Sequence, residues 1–239
     1  MEVDVLLFGA HPDDVEWGAG GSVLLMKQQG LRFVFVDLTA GEMGSRGSSE
    51  ERRDEAQAAA DFAGAAARET LDMPDCGLVD TPENRRIIAS TIRRYRPRVV
   101  MAPYWEDRHP DHAAAGAMVR NSALFCTLLK LDDPNPPHKP DTFLYYLLHN
   151  YEKPAFVTDI SSVYSQKLEL LRLHETQFSK TAEEHGLVPQ GLSDYLYGLE
   201  SRDRFFGSLI GCQHGEAFVQ ERPLRLNNFL ELLTAVRPK

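Results

Sequence analysis

Cysteine is scarce in this chain. The 239 residues hold three, Cys76, Cys126 and Cys212, with no CxxC pair and no regular spacing. That pattern excludes a disulfide framework and fits three separate thiols in a reducing compartment, each read as a buried core residue. Long apolar runs are also missing: nothing approaches the roughly 20 consecutive apolar residues that span a bilayer. No basic segment leads into an apolar stretch at the N-terminus, so no signal peptide is expected and the location is read as cytoplasmic. Positive charge is in deficit, with a formal net charge of −9, which argues against a nucleic-acid partner. Repeats and low-complexity tracts are absent.

What is present is an ordinary globular composition, 43% hydrophobic and 26% charged, in a chain long enough for one large domain. Val3 to Gly9, Phe33 to Leu38, Leu71 to Met73 and Val99 to Ala102 read as buried strands. Between and after them, Gly20–Gln29, Ser49–Ala63, Glu83–Tyr95 and Ala113–Lys130 read as helices, with Ser49 as a cap. The alternation predicts an α/β, Rossmann-like three-layer fold with a mostly parallel sheet. A proline-rich loop, Asp132 to Pro140, follows. Beyond it come strands at 142–148 and 155–160, a helix at 165–177 and a surface loop at 179–191. The expectation is one domain over 1–239, with a Rossmann-like core at about 1–130 and a C-terminal extension at about 141–239.

Two tetrapeptides stand at predicted strand ends: His11-Pro12-Asp13-Asp14 after the first strand and His109-Pro110-Asp111-His112 after the fourth. A single His or Asp there is usually a turn or cap residue. In an open α/β sheet, however, strands one and four flank the point where strand order reverses, and ligands bind beyond their carboxyl ends. Two His/Asp clusters at that point make a metal site the better reading. A catalytic zinc takes three protein ligands and leaves one position open. His11, Asp14 and His112 meet that need, with one Zn2+ per chain. A His2Asp set also admits another divalent ion such as Fe2+. Asp13 is then free as general base, and His109 as acid or oxyanion stabiliser, with Asp111 fixing its tautomer and charge.

Other features stay bland. Gly18 to Gly21 is not a phosphate fingerprint and reads as helix-start packing. Asp37 reads as a helix or turn cap. Trp17 and Trp105 are equally sugar-pocket walls or rim packing.

The segment GAHPDDVEWGAGG, the RxxEA run at Arg52 to Ala56, HPDH at 109–112 and GEAF at 215–218 resemble the PIG-L/LmbE-like zinc de-N-acetylases. The resemblance implies the same ligands, base and acid, and hydrolysis of an N-acetylglucosamine-type amide. EDRHPDH and MPDCGL are most similar to the bacillithiol-pathway branch, which acts on N-acetylglucosaminyl-malate. It further implies that Arg52 binds substrate, that Tyr195 aids the oxyanion, and that the chain forms a homo-oligomer, a hexamer. Lys139 stands where close relatives carry an arginine, keeping charge but losing bidentate carboxylate geometry. His214 replaces a tyrosine expected before GEAF. Two rivals remain at this stage: a metal-dependent amidase on another small N-acyl substrate, and a non-catalytic metal- or nucleotide-binding module. Asp13 and His109, spare acid–base groups, argue against the second.

Overall fold

The computed structural model describes residues 1–178 and 192–223, and at 192–195 the backbone alone. Its strands are β1 (Val5–Gly9), β2 (Phe33–Asp37), β3 (Ala67–Thr70), β4 (Val99–Pro103), β5 (Thr142–Tyr146), β6 (Phe156–Asp159) and β7 (Gly215–Val219). They form one sheet in the order β3-β2-β1-β4-β5-β7-β6. The first five are mutually parallel and β7 runs antiparallel to both its neighbours. This is the expected α/β architecture, with β1 beside β4.

Alternation along the strands feeds two cores. Leu6 and Phe8 face one side, with Ile88, Ile92, Met118 and Val119 from α3 (Pro82–Tyr95) and α4 (Pro110–Phe125). Val5 and Leu7 face the other, with residues of α1 (Asp14–Gln28), α2 (Ser49–Ala63) and α5 (Tyr164–Arg172). Leu6, Leu7 and Phe8 are fully buried, each stabilising by about 1.5–3 kcal/mol.

Several boundaries differ from the sequence reading. Helix α1 begins at Asp14 rather than Gly20, so Gly18, Gly20 and Gly21 lie inside it. There they cost helix stability but permit close approach. A Cβ on Gly18 would stand 2.2 Å from Tyr146 Cδ2, and one on Gly21 2.7 Å from Ile160. With that room Tyr146 crosses to donate to the Phe8 carbonyl at 2.7 Å. Helix α2 spans the expected residues, but its cap is Ser48, in a reciprocal box with Glu51. Strand β3 falls at 67–70 instead of 71–73. Its Arg68 is buried through a two-pronged bond to Asp37, so that carboxylate is an ion-pair partner rather than a cap. Helix α4 starts and stops earlier than predicted, and the helix expected at 165–177 divides into α5 and α6 (Glu175–Phe178). The predicted loop at 179–191 lies outside the described residues.

The later segments dock on the core through buried charge. Lys167 of α5 lies 2.7 Å from Asp203 of α7 (Leu192–Ile210) and 2.8 Å from Glu216 of β7. Glu216 also accepts the N–H groups of Gly21 and Ser22 in α1.

Candidate active site

Gly9 closes β1 where a side chain would crowd the next turn; an added Cβ would stand 3.0 Å from the His11 carbonyl. The Ala10 and His11 N–H groups donate to Asp14 Oδ2 at 2.8 and 3.0 Å, fixing that carboxylate at the head of α1. From β4 the chain reaches α4, whose cap is His109. The two clusters meet: the His11, His109 and His112 ring centroids lie 4.6–5.2 Å apart. Asp14 Oδ1 is 3.2 Å from His112 Nε2, and Oδ2 is 3.7 Å from His11 Nδ1.

Each of these two imidazoles has a second carboxylate behind it. His11 Nε2 is 3.1 Å from Asp75 Oδ1, and His112 Nδ1 is 3.1 Å from Asp107 Oδ1. Donation of those ring N–H groups leaves His11 Nδ1 and His112 Nε2 as lone-pair nitrogens flanking Asp14. Carboxylate-backed imidazoles have the character of metal ligands; His11, His109 and His112 form a group that could hold a metal ion, with Asp14 against the rings of His11 and His112.

The electrostatics agree. Burial opposes charging of His11, yet Asp14 and Asp75 push it up to about 11. His112 rises to about 9 against burial, mainly through Asp14. Burial would raise Asp14, but His112 and His11 hold it well below the carboxylate range. Asp107 lies below it too, its bonds to His112 and His149 overriding burial. Asp75 is depressed chiefly by His11. Without a metal, this centre draws protons onto His11 and His112.

Asp13 stands apart from the convergent donors. Burial raises its pKa, opposed by Arg52, whose Nη2 is 3.7 Å from Asp13 Oδ1. Arg52 is no solvated first-turn residue. It is buried and donates to the Gly41 carbonyl at 2.8 Å. Gly41 has a φ of +66°, and a Cβ there would overlap the guanidinium.

His109 accepts the Asp111 N–H at Nδ1, 3.3 Å, which puts the proton of the neutral ring on Nε2. Burial and His112 lower its pKa. The expected orienting role of the Asp111 side chain is not what the structure shows. That carboxylate turns to the Cys76 and Leu78 N–H groups and lies 3.5 Å from His11 Nε2. The start of α4 aims it at the 75–78 loop, so the backbone, not the carboxylate, sets the His109 tautomer.

A cavity of about 440 Å3 opens over the cluster, lined also by Asp13, Trp17, Arg46, Arg52 and His149. Trp17 stacks on Phe178 at its wall. Trp105 packs instead against Tyr104, Tyr145 and the Arg120 guanidinium. Lys139 is not at this site. It lines a separate cavity with Arg120, Thr142 and Glu221, because it precedes β5 and so lies at the opposite edge of the parallel strands. Tyr195 lies in α7 by its backbone; its side chain is outside the described residues. His214 stacks on Tyr164 at 3.6 Å. Cys126 is buried, its thiol pushed up to about 12 by burial. Cys76 is exposed on the cavity, against the expectation of a core thiol.

Sequence reasoning missed Asp75, Asp107 and His149. Asp107 bonds both histidine Nδ1 atoms at 3.1 Å, and His149 lies parallel to His112. The available signals were an aspartate two residues before HPDH and a histidine just past a predicted strand.

Comparison with known proteins bears on this geometry. Residues 6–123 match the family model PIG-L, GlcNAc-PI de-N-acetylase. Diacetylchitobiose deacetylase of Thermococcus kodakarensis is 33% identical over 189 residues, 73% of this chain and 70% of that protein. The chain belongs to the PIG-L deacetylase family. Another relative is the probable N-acetyl-alpha-D-glucosaminyl L-malate deacetylase 2 of Bacillus anthracis, 27% identical over 83% of this chain and 92% of that one. The solved structure of the conserved protein TT1542 from Thermus thermophilus superposes with a TM-score of 0.84 at 33% identity, covering 94% and 97% of the two chains. PIG-L deacetylases are metal-dependent, and both clusters lie inside the matched region. Among the described residues no helix is long and apolar enough to cross a membrane.

Proposed function

We propose that this chain is a zinc-dependent deacetylase that hydrolyses the acetamide of an N-acetylglucosamine-type conjugate, foremost N-acetylglucosaminyl-malate. The observation that carries the reading is the division of labour at α1. His11 and His112, each backed by a carboxylate, turn lone pairs toward Asp14, while the adjacent Asp13 faces the cavity uncommitted to them. A divalent ion held by His11, Asp14 and His112 supplies Lewis-acid polarisation of the carbonyl and lowers the pKa of water.

The chain's own groups do the rest. Asp13 takes a proton from the attacking water as its oxygen bonds the acetamide carbon. Burial raises the Asp13 pKa and so strengthens it as a base, while Arg52 keeps the carboxylate charged. His109, with its proton on Nε2, donates to the carbonyl oxygen as negative charge develops there. Collapse breaks the C–N bond, and the proton held by Asp13 passes to the departing nitrogen, giving acetate and a primary amine. Arg52 and Tyr195 complete the proposed substrate contacts, and the malate assignment is supported by the Bacillus anthracis relative.

Acetate release from N-acetylglucosaminyl-malate with zinc present tests this. Asp13→Ala is expected to lower kcat by about 10²–10⁴-fold with metal content unchanged. Undiminished turnover in that variant would overturn the base assignment.

A further inference from the structure

The cavity has a floor and a rim of different chemistry. Its floor is the buried imidazole cluster, which fixes the acetamide end of a substrate. Its rim includes Met43 to Arg46, from the loop between β2 and α2, where Met43 is 67% exposed and Arg46 half-buried. The far end of a conjugate therefore meets this loop.

The loop is held in place from the C-terminal side. Arg46 Nη1 donates to the Gln177 carbonyl at 3.0 Å, and Gln177 Nε2 donates back to the Arg46 carbonyl at 3.1 Å. The neighbouring Thr176 bonds Glu55 of α2 through both N–H and Oγ1, each at 2.7 Å. Gly47, with a φ of +68°, lies where a Cβ would meet Thr176 at 2.8 Å. These contacts present the Arg46 side chain on a braced loop, which reduces the ordering that binding would otherwise require.

Among the described residues Arg46 is also electrostatically unfinished. The other Lys or Arg on this lining, Arg52, has Asp13 as its carboxylate. Among the described residues no carboxylate lies within ion-pair distance of Arg46. Its one side-chain bond there goes to a neutral carbonyl, so that among the described residues Nε and Nη2 have no partner. A guanidinium in that condition suits two-pronged recognition of a carboxylate. Lys139, the residue the sequence suggested for this task, lies at the other edge of the sheet.

We propose that Arg46 determines specificity by binding a carboxylate on the aglycone of the substrate, so that the preferred conjugates are anionic. The inference rests on the deacetylase reading above and adds to it the group that reads the far end of the molecule.

Steady-state kinetics on a matched pair test it: N-acetylglucosaminyl-malate and the methyl glycoside of N-acetylglucosamine, which share the sugar and differ in the carboxylates. Arg46→Ala is expected to raise KM for the malate conjugate about 10- to 100-fold, with kcat and the glycoside kinetics changed by less than about 3-fold. Arg46→Lys restores part of the malate preference. The uncharged glycoside doubles as the folding control. Equal losses on both substrates, or no loss on either, overturn the inference and leave the deacetylase standing. Failure of the unaltered protein to release acetate from either compound overturns both.

Discussion

Of the groups of buried charge that helix α1 touches, two are built on opposite plans. At its middle, Lys167 and Arg202 face Asp203 and Glu216, two cations against two carboxylates, all at most 4% exposed. Nearly every polar atom has a fixed partner: Lys167 bonds both carboxylates, Arg202 bonds Asp203 and the Trp17, Leu147 and Leu148 carbonyls. At the N-terminus of the same helix, Asp13, Asp14, Asp75, Asp107 and Asp111 surround four histidines, and among the described residues the one permanent cation in contact is Arg52. The first group is closed and neutral, so it holds the fold. The second carries more carboxylate than fixed positive charge. On the function proposed above it is completed by an added cation, and that incompleteness is where chemistry enters.

The largest effect expected from this contrast is at the metal. Chelation should abolish acetate release, by more than about 10³-fold, and lower the melting temperature, because an ion bound only by the folded state stabilises it by mass action. Restoring zinc should recover both. In Asp14→Ala, zinc should neither bind stoichiometrically nor shift the melting temperature, as read by elemental analysis and calorimetry. If chelation changed neither property, the histidine cluster would be as self-sufficient as the Lys167 group and the comparison would collapse.

Both clusters of the site were legible in the sequence because local rules and topology agreed on them. Buried strands delivered His11 and His109 to adjacent carboxyl ends, and β1 does pair with β4. The partners behind them were less legible. Asp75 stands two residues past the strand predicted at 71–73 but in neither tetrapeptide, and it reaches His11 only through the fold of its loop. The start of α1 was hidden by its glycines, whose low helix propensity is overridden by the approach of Tyr146 and Ile160. Strand β3 was misplaced because its Arg68 and Glu69 look exposed, although Arg68 is buried against Glu16 and Asp37. Lys139 was misjudged for a topological reason. A residue preceding a parallel strand lies at the edge opposite the site.

The next effect in size is on stability. Lys167→Met removes the cation shared by Asp203 and Glu216 and leaves buried carboxylate charge undercompensated, at a cost of about 3–5 kcal/mol. In a chain of this size that is a fall of about 10 °C in melting temperature. The folded fraction should keep its zinc stoichiometry and turnover. Coupled loss of zinc would show that the two charge groups are one system.

The smallest effect is expected where matched charges meet water. Arg85 grips Asp80 through two bonds of 2.6 and 2.7 Å, and Asn121 adds a third. The pairing looks as complete as that of Lys167, yet both side chains are about a quarter exposed, so solvent screens it. Asp80→Asn should cost no more than about 1 kcal/mol in denaturant unfolding. The bond from Arg85 lowers the Asp80 pKa, so its contribution is present above the unfolded value near 3.9. It is lost as pH falls through the lower native one. The gap between the unaltered protein and the variant should therefore be constant at neutral pH and close below about pH 4. A cost approaching that of Lys167→Met would mean that pairing geometry, rather than burial, sets the worth of these charges.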